Sequence, residues 1–128
     1  MCLSKPISKI EFINAINNLA ESVYDFHDRW NLFNVSKTSF EAVSEREELL
    51  LEEVRELMEE YNKNQSELSE ELLSREAADV LYVSIGNMLA LNKEGISAMN
   101  QVAIKNNNKT KKTHFYNVKE KKIKKLDV

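Results

Sequence analysis

The chain has 128 residues, of which 42% are hydrophobic and 30% charged, with a net charge of −3 and a single cysteine; this is enough for one domain with a real core and too little for two ordinary ones. Two Gly and one Pro argue for long helices on short connections, an all-α fold. No window approaches the roughly 18 apolar residues that span a bilayer, so no membrane partner is expected. Cys2 has no internal disulfide partner and the opening residues lack the apolar run of a signal peptide, so the expected location is the cytoplasm.

The net charge hides an asymmetry. Residues 105–128 hold nine Lys against Glu120 and Asp127, a balance of +7, which leaves −10 for residues 1–104. An acidic helical body thus carries a basic tail, and a polyanionic partner, nucleic acid or a phosphate-rich small molecule, is one reason for such a tail.

In chain order, Ser8-Lys-Ile-Glu11 has the form of a capping box, and the apolar spacing that follows predicts a first helix from Ser8 to about His27. Its end, residues 26–33, is dense in aromatics, which either pack in the core or offer a platform for a flat ring. Residues 34–40 read as a loop, residues 41–62 as a second helix, and 62–66 as a polar connection. A third helix is expected over 67–92, with Glu67, Glu70 and Glu71 as solvated charges favoured near the positive end of its dipole. Residues 92–95 read as a turn before a short fourth helix over 96–106. In the tail, residues 113–118 and 121–126 alternate as two short strands would, which leaves a hairpin or disorder as alternatives. The expected division is a helical domain over 1–112 and a basic tail over 113–128.

The third helix is the one the others are expected to surround. From Ala77 onward its apolar residues occupy every side of a helical wheel, the mark of a buried helix. Yet Leu72, Glu76, Asp79, Val83, Gly86 and Ala90 follow at alternating steps of four and three, so one stripe carries two carboxylates. Burial of such groups needs compensation by basic side chains, by a cation, or by protonation. On the second helix Glu52, Glu53 and Glu56 share an arc of about 100° beside the apolar face. Two helices packed through these faces would gather up to five carboxylates, and hard cations such as Mg²⁺ or Mn²⁺ take oxygen ligands of this kind.

Glu-Glu-x-x-Glu at residues 52–56, nineteen residues, and Glu-x-x-Asp at 76–79 resemble the acidic motifs of the MazG-like all-α nucleoside triphosphate pyrophosphohydrolases. The likeness extends to Val23-Tyr-Asp-Phe-His-Asp-Arg-Trp, to Ala78-Asp-Val-Leu-Tyr-Val-Ser-Ile-Gly, and to Gln101-Val-x-x-x-Asn106-x-x-Lys109, and covers residues 10–112. It departs at Arg55, where many relatives have a small residue, and after Lys112, where the tail is lysine-rich. The resemblance implies a four-helix bundle completed as a homodimer or homotetramer. It also implies cleavage between the α and β phosphates of a nucleoside triphosphate, with dUTP or another deoxynucleotide nearest and phosphoribosyl-ATP as the alternative within the family. It makes Glu52, Glu53, Glu56, Glu76 and Asp79 the catalytic set, the last four as Mg²⁺ ligands, and Asn106 and Lys109 the phosphate contacts. Phe26, His27 and Trp30 are the residues expected to meet the base. Two rivals predict otherwise: a helical interaction module whose acids are solvated, and a nucleic-acid binder, which the absence of Arg from the tail disfavours.

Overall fold

The computed structural model describes residues 6–33 and 36–127; Cys2 and the first residues of the expected 34–40 loop lie outside them. Ser8 opens α1 (Lys9–Arg29) by accepting the Glu11 N–H at 3.1 Å, while its hydroxyl donates to Glu11 Oε1 at 3.1 Å. The two residues of the expected capping box therefore do meet, though Glu11 answers the Ser8 hydroxyl and not its backbone N–H. Beyond the Trp30 cap, Asn31 turns the chain at φ 55°, a left-handed conformation that Asn tolerates better than most residues.

The expected second helix is broken. A single short helix, α2 (Ser39–Ser44), is capped by Thr38, whose hydroxyl accepts the Glu41 N–H at 3.1 Å. The chain turns at Glu45 and Arg46 and resumes as α3 (Glu47–Tyr61). No Gly or Pro marks this break, and at it the Arg46 side chain bonds to the neighbouring helix.

The third helix starts later than its acidic run implies. Gln65–Glu67 form a 3₁₀ turn, Leu68 is extended, and Ser69 caps α4 (Glu70–Ala90) by accepting the Leu72 N–H at 3.3 Å. Ser69 supplies the capping oxygen that Glu67 does not, which sets the start there. The expected 92–95 turn is helical instead: Asn92 takes a left-handed φ of 53°, and α5 runs Asn92–Asn107. The tail forms a hairpin, β1 (His114–Asn117) antiparallel to β2 (Lys122–Lys125), with Tyr116 opposite Ile123 and His114 opposite Lys125. Asn117 Oδ1 accepts the Glu120 N–H at 2.8 Å, and Lys121 closes the turn at φ 57°. The molecule is thus mostly helical with one small two-stranded sheet.

The chain divides into two compact units, Met1–Asn92 and Lys93–Val128. In the first unit α4 is central and packs against α3, α1 and α2. Its core is thin: among the described residues the buried hydrophobic side chains are Val23, Ala42, Val83 and Ala90, with His27 beside them. The burial expected all round α4 is confined to the stripe of Val83, Gly86 and Ala90, while Leu72, Leu73 and Leu81 are exposed. α1, α2 and α3 pack against α4, and beside the buried stripe Ile85, Met88 and Leu89 are half-buried.

Candidate metal centre

Helical spacing gives α3 a stripe of Glu53, Glu56 and Glu60, all half-buried, and gives α4 the stripe that holds Glu76 and Asp79. Where α3 crosses α4, Glu53, Glu76 and Asp79 each offer an oxygen, and these atoms lie within 4.8 Å of one another. Glu56 stands beside them and raises the proton affinity of both Glu53 and Glu76. Glu53 and Glu76 have proton affinities raised above the usual carboxylate range. In each the largest cause is desolvation, followed by the charges of Glu56 and Asp79 and the bond to Glu56, with Glu52 adding to Glu53 and Glu60 to Glu76.

One oxygen of Glu53 and one of Glu76 are inaccessible and have no hydrogen-bond partner, the two such side-chain atoms among the described residues. They are shielded by neighbouring carboxyl groups, not by depth, since the cluster lies near the surface. Basic side chains do not answer them. Arg55 pairs with Glu48 at 3.6 Å, Arg75 with Glu71 at 2.6 Å, and Lys63 with Glu60 at 2.8 Å. Four acids on two helices, two oxygens without partners and an all-oxygen donor set fit a hard divalent cation.

Glu52 is exposed and outside the trio, reaching it only as a nearby charge on Glu53. Glu60 is the residue that the motif reading leaves out. Its signal is its place four residues after Glu56 and seven after Glu53, on the same stripe.

The aromatic end of α1 splits. Phe26 and Trp30 are 40% and 61% exposed, with ring centroids 6.3 Å apart and planes inclined at 54°. Phe26 also meets the Tyr82 ring edge-on at 6.2 Å, and the two help to line an open cleft of about 300 Å³ with Glu21, Asp25 and Arg29. Tyr82 is fixed there by Ser22, donating to its carbonyl and pairing with its hydroxyl, both at 3.2 Å. His27 does not fit the role of base contact. Only 4% exposed, it has no ring face open to a stacking base, and its nitrogens are engaged, Nδ1 with the Val23 carbonyl at 2.9 Å and Nε2 towards Arg46 at 3.5 Å. In the second unit Asn106 spends its side-chain amide on the Val102 carbonyl at 2.9 Å, and Lys109 follows as α5 ends, its N–H bonded to the Asn106 carbonyl at 3.1 Å.

Comparison with known proteins finds no matching family model, no similar curated protein and no similar solved structure.

Proposed function

We propose that the chain is a Mg²⁺- or Mn²⁺-dependent nucleoside triphosphate pyrophosphohydrolase of the MazG-like kind, cleaving the bond between the α and β phosphates to give a monophosphate and pyrophosphate. The observation that carries this reading is the convergence of two acidic motifs, distant in sequence, into one cluster whose oxygens span 4.8 Å. Glu53, Glu76 and Asp79 are the residues to hold the cation, with Glu56 beside Glu53 and Glu76. A cation there supplies charge neutralisation for the phosphates and lowers the pKa of a bound water. Glu56, beside both Glu53 and Glu76, is suited to orient those carboxylates and to act as general base towards the attacking water. Asn106 and Lys109 are the proposed phosphate contacts, Phe26 and Trp30 the proposed base platform, and dUTP or another deoxynucleotide the proposed substrate.

A homodimer or homotetramer belongs to the same proposal. It is supported by the thin core and by large apolar side chains left exposed on every helix of the first unit. Among the described residues no helix is long and apolar enough to cross a membrane. The exposed apolar surface also favours the rival reading, a helical module that binds another protein without catalysis.

The test is pyrophosphate release from a panel of canonical and modified nucleoside triphosphates and phosphoribosyl-ATP, with Mg²⁺, Mn²⁺ or chelator, for the wild type and Asp79→Ala. Cation-dependent release that falls at least a hundredfold in the variant is the expected result, and the order of substrates names the base. A folded wild type that neither releases pyrophosphate nor binds either cation leaves the interaction module.

A further inference from the structure

A polar knot lies two helical turns away from the acidic cluster. Arg46, at the break before α3, reaches across to α4: Nε donates to Asn87 Oδ1 at 2.7 Å and Nη2 to the Val83 carbonyl at 3.2 Å. Nη1 faces His27 Nε2 at 3.5 Å, and His27 Nδ1 in turn bonds to the Val23 carbonyl of α1 at 2.9 Å. Nδ1 therefore carries the proton and Nε2 presents its lone pair to the guanidinium. Gly86 makes room for this arrangement, because a Cβ built there would stand 2.3 Å from Arg46 Nη2 and 3.0 Å from His27 Cε1. One side chain thus ties the start of α3 to α4 and α1 at once.

The spacing links this knot to the cluster. Arg46 stands seven residues before Glu53 on one helix path, and Val83 and Gly86 stand seven residues after Glu76 and Asp79 on the other. Seven residues are close to two turns, so the knot and the cluster lie on the same faces of the two helices. A slip of α3 along α4 by a single turn moves it about 5.4 Å, more than the 4.8 Å over which the three ligand oxygens are spread. Apolar side chains along α3 and α4 tolerate such a slip far better than directed hydrogen bonds do.

We infer that Arg46 is a positioning residue, a register clamp that holds α3 against α4 so that Glu53 meets Glu76 and Asp79. This rests on the cation-binding reading of the cluster. Arg46 touches neither the cluster nor a substrate, and its effect is on the geometry in which the acids meet a cation.

The test is Mn²⁺ titration of the full chain by calorimetry, well below the melting temperature, for the wild type, Arg46→Met, Arg46→Lys, Gly86→Ala and Ala90→Gly, with helix content followed by circular dichroism. Arg46→Met and Gly86→Ala are expected to keep their helices and to lose at least tenfold in Mn²⁺ affinity, with Arg46→Lys recovering part of the loss. Ala90→Gly, which loosens the end of α4 without removing a group to which Arg46 bonds, is expected to melt earlier and bind Mn²⁺ as the wild type does. Should Arg46→Met fail to fold, Gly86→Ala decides. Wild-type affinity in Gly86→Ala, or an equal loss in Ala90→Gly, overturns the clamp and leaves the cation site standing; a wild type that binds no Mn²⁺ removes both.

Discussion

Glu76 and His27 respond to pH in opposite senses. Glu53 and Glu76 hold their protons above the usual value of 4.5, chiefly through desolvation and then through their acidic neighbours. An acid whose folded affinity is raised contributes stability that is complete below 4.5 and lost as pH rises through the folded value. The metal-free protein at neutral pH is therefore strained at this cluster, and a cation relieves it. Glu76→Gln is expected to raise the melting temperature of the metal-free protein at pH 7 and to abolish the rise that Mn²⁺ gives the wild type. At a Mn²⁺ concentration 100 times Kd that rise corresponds to about 2.7 kcal/mol, and scanning calorimetry with and without the ion reads both effects. If Glu76→Gln melts lower than the wild type without metal, the carboxyl groups are not in conflict. His27 has its proton affinity lowered below 6.5, first by burial and then by Arg46, with the bond to Val23 acting against both. Its contribution is complete above 6.5 and declines as pH falls towards the lower folded value. With both Glu53→Gln and Glu76→Gln in place, urea denaturation across this range is expected to show stability rising with pH, and a flat profile would mean that His27 does not titrate there.

At the level of the elements, caps and tertiary contacts divide the work. Ser8, Thr38 and Ser69 each accept a backbone N–H three residues on and so fix where α1, α2 and α4 begin. Ser69→Ala is expected to cost about 1 kcal/mol, measured as a lower urea midpoint at unchanged slope. The break between α2 and α3 has no such local cause. Arg46, at the break, bonds to Asn87 and Val83, partners that no sequence window around residue 46 displays. The hairpin is the converse case. Its register follows the alternation of residues 113–118 and 121–126, and Asn117 supplies the turn bond. A two-stranded hairpin is only marginally stable by itself, so the alternation alone left disorder open.

Over the whole molecule the main imbalance is apolar. Leu72, Leu73 and Leu81 on α4, Leu49, Leu51 and Met58 on α3, and Ile10, Phe12 and Ile13 on α1 are exposed. Isolated exposed apolar residues are ordinary, but so many on three packed helices, beside a core of four buried hydrophobic side chains among the described residues, are a cost to a lone chain. Sedimentation velocity is expected to give a dimer or larger species, with an aspartate at Leu81 shifting it towards the monomer. A wild-type monomer at every concentration would remove the oligomer from the proposal.

The amino-acid sequence by itself determined the helical class, the Ser8 cap, the two acidic motifs and the basic tail. These depend on spacings within a few turns of one helix or along one strand, and a helix of 3.6 residues per turn leaves little freedom in them. The stripe from Glu76 to Ala90 was legible for this reason, whereas Glu60, which continues the spacing of Glu53 and Glu56, was passed over by the motif reading. Only the tertiary structure decided which carboxylates meet, that His27 is buried while Phe26 and Trp30 are not, and that the helix breaks at Arg46. Each of these depends on how one helix is rotated and slid against another, and that is settled by contacts such as Arg46 with Asn87, forty-one residues apart, whose partners no local pattern identifies.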